Sequence, residues 1–253
     1  SVKVLDPIGL IHNFEASILK ELDFIRESIN IQRFHQNFSQ KETDRKYIHS
    51  PKVYKDYTTS KVLTMELIDG IKITNYDEIE KSGLDRKKLA KRLAVSFSKQ
   101  VFEHGFFHAD PHPGNIFAMD NNVVCYIDYG MMGYILEKDL KNFGKLFTSV
   151  HSMEVNNIIQ ALEDLSDNST LGTIKGLEGD LHEFVHSFSL ETTHTNELST
   201  ILLDLKDIIV KYNISVPPHF YLLARSLVTF EALVENLDPD LDLGKVVKPY
   251  LIK

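Results

Sequence analysis

The stretch His108-Ala109-Asp110-Pro111-His112-Pro113-Gly114-Asn115 sets an aspartate five residues before an asparagine, and Asp128-Tyr129-Gly130 follows one short hairpin later. Carboxylate and amide oxygens in that order suit phosphoryl transfer. That reaction is catalysed mainly by positioning and by neutralising charge on the phosphates, so it needs metal-binding oxygens and a group that orients the nucleophile. On this reading Asp110 faces the attacking oxygen, while Asn115 and Asp128 hold Mg²⁺ against the phosphates. The plain alternative is turn chemistry, because Asp and Asn are ordinary loop residues. The joint order and spacing around a hairpin favour catalysis over that alternative.

A competing motif lies further on. His182-Glu183-Phe184-Val185-His186 matches H-E-x-x-H, which on a helix presents two imidazoles on one face for Zn²⁺ with a glutamate as base. The match is short, the chain has 11 histidines, and no familiar third-ligand pattern follows, with Glu191 and Glu197 the only candidates. Phe184, Val185 and Phe188 also give the segment an ordinary apolar face, so a zinc hydrolase ranks below phosphoryl transfer. Cys125, the single cysteine, sits in the apolar run 123–127 and reads as an inert core thiol in a reducing compartment.

Helices and short strands must position these groups. From Pro7 the spacing of Ile11, Phe14, Ile18, Leu22, Ile25 and Ile29 predicts one long amphipathic helix reaching about Asn37. Residues 52–57 and 61–67 have strand composition and predict a hairpin that ends at Asp69-Gly70. A second helix is predicted from an Asp85 N-cap through Leu89, Leu93, Phe97 and Val101 to a stop at Gly105. Strands at 116–119 and 123–127 are joined by Asp120-Asn121-Asn122. Helices follow at 137–151, 155–165, about 179–190, 196–212 and 218–236.

The motif residues, taken with Glu21-Leu22-Asp23-Phe24-Ile25-Arg26-Glu27-Ser28-Ile29-Asn30, resemble the UbiB (AarF-related) atypical kinase family over most of the chain. Leu223 to Glu231, followed by Leu237-Asp238-Pro239-Asp240, is similar to that family's C-terminal helix and its exit. The resemblance implies an α+β, protein-kinase-like fold. An incomplete N-lobe at 1–69 carries an αC-like helix and a hairpin, and a mainly helical C-lobe occupies 70–253. It implies that Glu27 pairs with a strand lysine and that Glu21, Asp23 and Asn30 shape a family pocket. His108 and His112 would support the catalytic loop. Leu63 to Gly70 looks like the hinge, with Met65 as gatekeeper and the backbone near Glu66 and Ile68 meeting adenine. The implied cofactors are ATP and Mg²⁺, and the implied role is support of isoprenoid-quinone biosynthesis. Its implied partners are a lipid or quinone precursor and quinone-biosynthesis proteins, with peripheral contact at the inner face of a membrane.

The pattern departs from the family in several places. Val2-Lys3-Val4 mimics V-A-I-K, but no glycine-rich loop precedes it and Pro7 opens the predicted helix almost at once, so Lys3 is set aside as the phosphate-binding lysine and the chain reads as truncated upstream. His112 stands where ordinary protein kinases carry a lysine that steadies the transferred phosphate, which suits slow transfer or plain hydrolysis. The run from Asp128 to the helix near Glu137 is short and lacks A-P-E, so the acceptor is expected to be small or lipidic rather than a peptide. A nucleotide-binding pseudokinase remains the alternative. Asp23 and Glu27 also lie at i and i+4, where like charges cost a few tenths of a kcal/mol, which calls for a facing cation or a solvated acidic face.

Bulk properties agree with a folded chain outside nucleic-acid biology. With 253 residues, 43% of them hydrophobic and 25% charged, the chain can bury a sizeable core. A net charge of -8 is the wrong sign for tracking phosphates along nucleic acid. Neither a bilayer-spanning apolar run nor a signal-peptide pattern occurs, so a cytoplasmic, soluble chain is expected.

Overall fold

The structure, a computed structural model, describes residues 23–166, 169–190 and 198–251. It has a mixed α+β architecture. The chain divides into two compact units that differ from the predicted 1–69 and 70–253. One comprises the described residues up to Asp85 together with Pro113–Met132, and the other comprises Arg86–His112 together with the chain from Gly133 onward.

The first unit opens on helix α1, Phe24–Ser39. Asp23 is its N-cap: the backbone there is extended and the carboxylate accepts from the Ile25 N–H at 3.1 Å. The helix predicted to run unbroken from Pro7 to about Asn37 is therefore corrected at Asp23, whose extended, capping backbone makes Phe24 the first residue of α1; the predicted stretch before Asp23 lies outside the described residues. Asp23 is not a helical neighbour of Glu27 stacked one turn below it. Its charge meets the positive end of the helix, where an anion stabilises, and the expected repulsion gives way to a cap.

A small sheet lies against α1 through the short helix α2, Glu42–Tyr47, and strand β1, Ile48–His49. Its order is β1-β5-β4-β2, with β2 Ile71–Lys72, β4 Ile116–Met119 and β5 Val123–Tyr126. The β4–β5 pair is the predicted hairpin, with Ile116 opposite Tyr126 and Met119 opposite Val123. Asn121 and Asn122 both take φ of 60° in its turn, a left-handed conformation that asparagine tolerates better than most residues. The hairpin predicted at 52–57 and 61–67 exists only as isolated antiparallel pairings, Val53 with Met65 and Thr59 with Val62. Hydroxyls account for the difference. The Thr58 hydroxyl donates to the Tyr54 carbonyl and accepts from the Thr64 N–H, while residues 55–57 close into a 3₁₀ turn, so side chains take bonds that a ladder would need.

The second unit is built on helix α4, Arg86–Phe102, which follows a short helix α3, Tyr76–Lys81, of the first unit. Leu89, Leu93, Phe97 and Val101 are all buried along one face of α4, as their spacing predicts. Gly105 ends this region with φ of 54°, and a Cβ there would lie 2.7 Å from the Ile135 carbonyl oxygen. Strand β3, Phe106–His108, then pairs with β6, Met132–Tyr134. The remainder is helical: α5 Glu137–His151, α6 Val155–Ser166, α7 Leu177–Leu190, α8 Leu198–Lys211, α9 Pro218–Leu237 and α10 Leu243–Leu251. Ring stacking ties α4 to α9 through Phe97 and Phe230, and α5 to α9 through Phe143 and Phe220. Among the described residues no helix is long and apolar enough to cross a membrane.

Candidate functional site

The hairpin carries the two predicted metal ligands at its open end. Asn115 donates from Nδ2 to Asp128 Oδ2 at 3.0 Å, and the Gly130 N–H donates to Asp128 Oδ1 at 2.9 Å. The backbone closes the same loop, with the Ile127 N–H donating to the Asn115 carbonyl at 3.0 Å. Each oxygen of the half-buried Asp128 carboxylate thus accepts from a fixed donor, which holds its plane. Because the Asn115 amide nitrogen points at Asp128, its oxygen is directed elsewhere.

One face of α1 reads the residue after Asp128. The Tyr129 N–H donates to Glu27 Oε1 at 3.1 Å, and Asn30 Nδ2 donates to the Tyr129 carbonyl at 2.8 Å. The buried Tyr129 ring packs edge-on against Phe34 with centroids 5.1 Å apart. Glu27, Asn30 and Phe34 lie at i, i+3 and i+7, one stripe of the helix. Burial pushes the Glu27 carboxyl above its usual range, the bond from Tyr129 opposes this, and the nearby Asp128 charge adds to the rise. Glu27 therefore holds the Asp-Tyr-Gly backbone, a role that the sequence pattern did not reveal. Glu21 and Lys3 lie outside the described residues.

In the hinge-like segment the Glu66 side chain is turned to its own unit. Glu66 Oε2 lies 3.1 Å from His49 Nε2 and accepts from the Lys52 N–H at 3.0 Å. The Glu66 N–H bonds the Lys52 carbonyl, whereas the Glu66 carbonyl and the Ile68 N–H bond no backbone group among the described residues. Met65 and Ile68 are half-buried, and Gly70 packs so closely on β4 that a Cβ would lie 3.1 Å from the Ala118 carbonyl oxygen. Behind this segment Cys125 is fully buried, and desolvation, followed by the Glu66 charge, pushes its thiol up to about 12. It is the inert core thiol expected.

Asp110 belongs to the second unit. Its N–H donates to His108 Nδ1 at 3.2 Å, and its carbonyl accepts from the His112 N–H at 2.7 Å. An accepting Nδ1 leaves the neutral ring's proton on Nε2. His108 is itself buried, and its N–H donates to Gln100 Oε1 on α4 at 2.9 Å. Gln100, invisible to motif reasoning, thereby couples α4 to the start of the loop. The loop keeps Asp110 half-buried and His112 exposed. Beneath it Gly133 of β6 lies against Phe107, where a Cβ would come within 2.2 Å of the ring.

The H-E-x-x-H segment lies on α7. Leu177, Leu181 and Phe184 form the buried stripe, while His182, Glu183 and His186 are exposed. His182 Nε2 is 4.0 Å from Glu178, one turn back on the same helix. Among the described residues no cluster of three His, Cys, Asp or Glu side chains has the geometry to hold a metal ion. Glu191 and Glu197 lie outside the described residues.

Comparison with known proteins identifies the family. Residues 2–162 match the model of the ABC1 atypical kinase-like domain, and residues 183–242 match that of the UbiB helical domain. A protein of Glaesserella parasuis named "Probable protein kinase UbiB" is 30% identical across 98% of this chain and 45% of its own length. The chloroplastic "Protein ACTIVITY OF BC1 COMPLEX KINASE 7" of Arabidopsis thaliana is 31% identical across 97% of this chain and 35% of its own. The chain thus spans less than half the length of these relatives. A solved structure of Rv3197 with erythromycin, from Mycobacterium tuberculosis, superposes with a TM-score of 0.58 at 18% identity, covering 94% of this chain and 60% of the other, a likeness of fold.

Proposed function

We propose, since this chain belongs to the ABC1/UbiB family of atypical kinase-like proteins, that it binds Mg·ATP and either transfers the terminal phosphoryl group to a small or lipidic acceptor or hydrolyses it. The observation that carries the reading is the Asn115–Asp128 pair at the hairpin mouth, braced by the Gly130 N–H. Its donor set fits the ion. Mg²⁺ takes hard oxygens, usually one or two from protein with the rest from phosphate and water, and Asp128, joined by the Asn115 amide oxygen once that amide rotates out of its Nδ2 bond to Asp128, would supply that minimum. When bound, Mg²⁺ would neutralise charge on the phosphates. Asp110 would orient the acceptor hydroxyl or water and receive its proton, with His108 fixing the backbone on which it sits. The Glu66 carbonyl and Ile68 N–H would meet the adenine edge.

A small acceptor is favoured by the short run between Asp128 and α5, which leaves no long segment for a peptide to lie on. The name carried by the Glaesserella relative, together with the resemblance, favours a role in isoprenoid-quinone biosynthesis, with a quinone precursor and quinone-biosynthesis proteins as partners at a membrane surface. The test is Mg²⁺-dependent ATP hydrolysis by the whole protein, with and without lipid vesicles, beside Asp110→Asn. Turnover that falls about 10²–10⁴-fold in the variant is expected for a lost proton-transfer or orienting group. Nucleotide binding without turnover under any condition would instead make the chain a pseudokinase scaffold.

A further inference from the structure

We infer that Asn30 is a positioning residue for the metal-binding carboxylate of Asp128, acting through the carbonyl of Tyr129. The inference rests on the phosphoryl-transfer reading above and adds to it a residue on α1 that sets the metal site.

Four bonds fix the turn at residues 128–130. Asp128 is held from the hairpin side by Asn115 and from its own turn by the Gly130 N–H. The Asn115 bond leaves open the rotation of the peptide planes on either side of Tyr129, and the Gly130 bond forms only when the plane that follows Tyr129 is turned to aim its N–H at Asp128. Both planes are read by α1. Glu27 accepts from the N–H that precedes the Tyr129 Cα, and Asn30 donates to the carbonyl that follows it. The carbonyl in question belongs to the same peptide group as the Gly130 N–H that braces Asp128 Oδ1. A peptide group is planar, so fixing its oxygen also fixes its N–H. The Asn30 bond spans 99 residues of sequence, and the Asn30 side chain is buried. A buried amide stripped of its acceptor is costly, so the pair resists slipping. Phe34, one turn further along the same stripe, clamps the Tyr129 ring. α1 is thereby geared to the metal site, and a rotation of the helix would turn the Gly130 N–H away from Asp128.

Groups that orient metal ligands from the next shell out typically change metal affinity or activity about 10–100-fold when mutated. The experiment follows Mg²⁺ dependence. Binding of a fluorescent ATP analogue by the full chain is titrated with Mg²⁺ and repeated in EDTA, for wild type, Asn30→Asp, Asn30→Ser and Asn30→Gln. Asn30→Asp keeps the shape but cannot donate to the Tyr129 carbonyl when ionised. It is expected to raise the half-saturating Mg²⁺ concentration at least about 10-fold, while affinity in EDTA stays within about twofold. Asn30→Gln, which keeps an amide donor, is expected to recover part of the loss. Should Asn30→Asp fail to fold, Asn30→Ser, smaller and uncharged, carries the same comparison. Unchanged Mg²⁺ dependence in a folded variant, or an equal loss with and without metal, overturns the positioning role and leaves Asn30 a packing residue. Wild-type protein whose nucleotide binding ignores Mg²⁺ would overturn the phosphoryl-transfer reading itself, and the inference with it.

Discussion

Two short motifs in this chain carry metal-ligand residue types at textual spacings known to bind cations, and the fold treats them differently. Asp128-Tyr129-Gly130 is gripped on every polar atom that matters: the carboxylate by Asn115 and Gly130, the following peptide groups by Glu27 and Asn30, the ring by Phe34. His182, Glu183 and His186 occupy the wet face of α7, where His182 makes a loose approach to Glu178. Holding a cation needs ligands fixed before it arrives, because ordering long side chains at the moment of binding costs conformational entropy. The two motifs therefore differ in whether other elements have converged on them.

The strongest way to break this contrast is to remove one ligand from each. Asp128→Asn is expected to abolish Mg·ATP-dependent turnover, a loss of about 10³-fold or more, since it removes the charge that anchors the metal and phosphates. His182→Ala with His186→Ala is expected to change turnover by less than about twofold and stability by less than about 0.5 kcal/mol, as for surface substitutions generally. Turnover that survives in the first variant and collapses in the second would reverse the assignment of the site.

The sequence carried the contrast only in part. The spacing of Asp110, Asn115 and Asp128 marks these residues in the sequence, and the buried stripe of α4 follows its period closely, because both signals are local. What bound Asp128 in place was not local. Asn30 and Glu27 stand about a hundred residues from Tyr129, and a hydrogen bond to a backbone atom leaves no mark on the identity of the residue it reaches. Gln100 escaped notice for the same reason. Strands β1 and β2, each two residues long, are too short to show alternation, and they form because β4 and β5 offer edges to pair with. The Asp23 cap could have been seen, since Asp before an apolar helical run is a start signal; the longer periodic pattern from Pro7 masked it.

Stability offers a second measure of convergence. Phe34 is fully buried between Phe38, Tyr126 and Tyr129, with centroids 4.6, 5.4 and 5.1 Å away. Phe34→Ala is expected to cost about 3–5 kcal/mol by cavity formation, visible as a lower denaturant midpoint at an unchanged m-value. A cost below about 1 kcal/mol would mean that the α1 stripe is not the core of its unit.

The smallest effect concerns Glu27, and it decides what that residue faces. Burial, partly offset by the Tyr129 bond and reinforced by Asp128, raises its folded-state pKa above the ordinary glutamate range. Between the unfolded value and the raised one the native state holds more protons than the unfolded chain, so this group's stabilising contribution is present in acid and is lost as pH rises through the folded pKa. Glu27→Gln keeps an amide oxygen to accept from the Tyr129 N–H but has no charge to desolvate. Relative to wild type, its melting temperature should therefore match near about pH 4 and move above it toward about pH 7. The opposite trend, a glutamine variant that falls further behind as pH rises, would show that the ionised carboxylate is paired with a cation in the intact protein. A lysine facing Glu27 lowers its pKa and inverts the slope, whereas a glutamate that serves only to hold the Asp-Tyr-Gly backbone cannot.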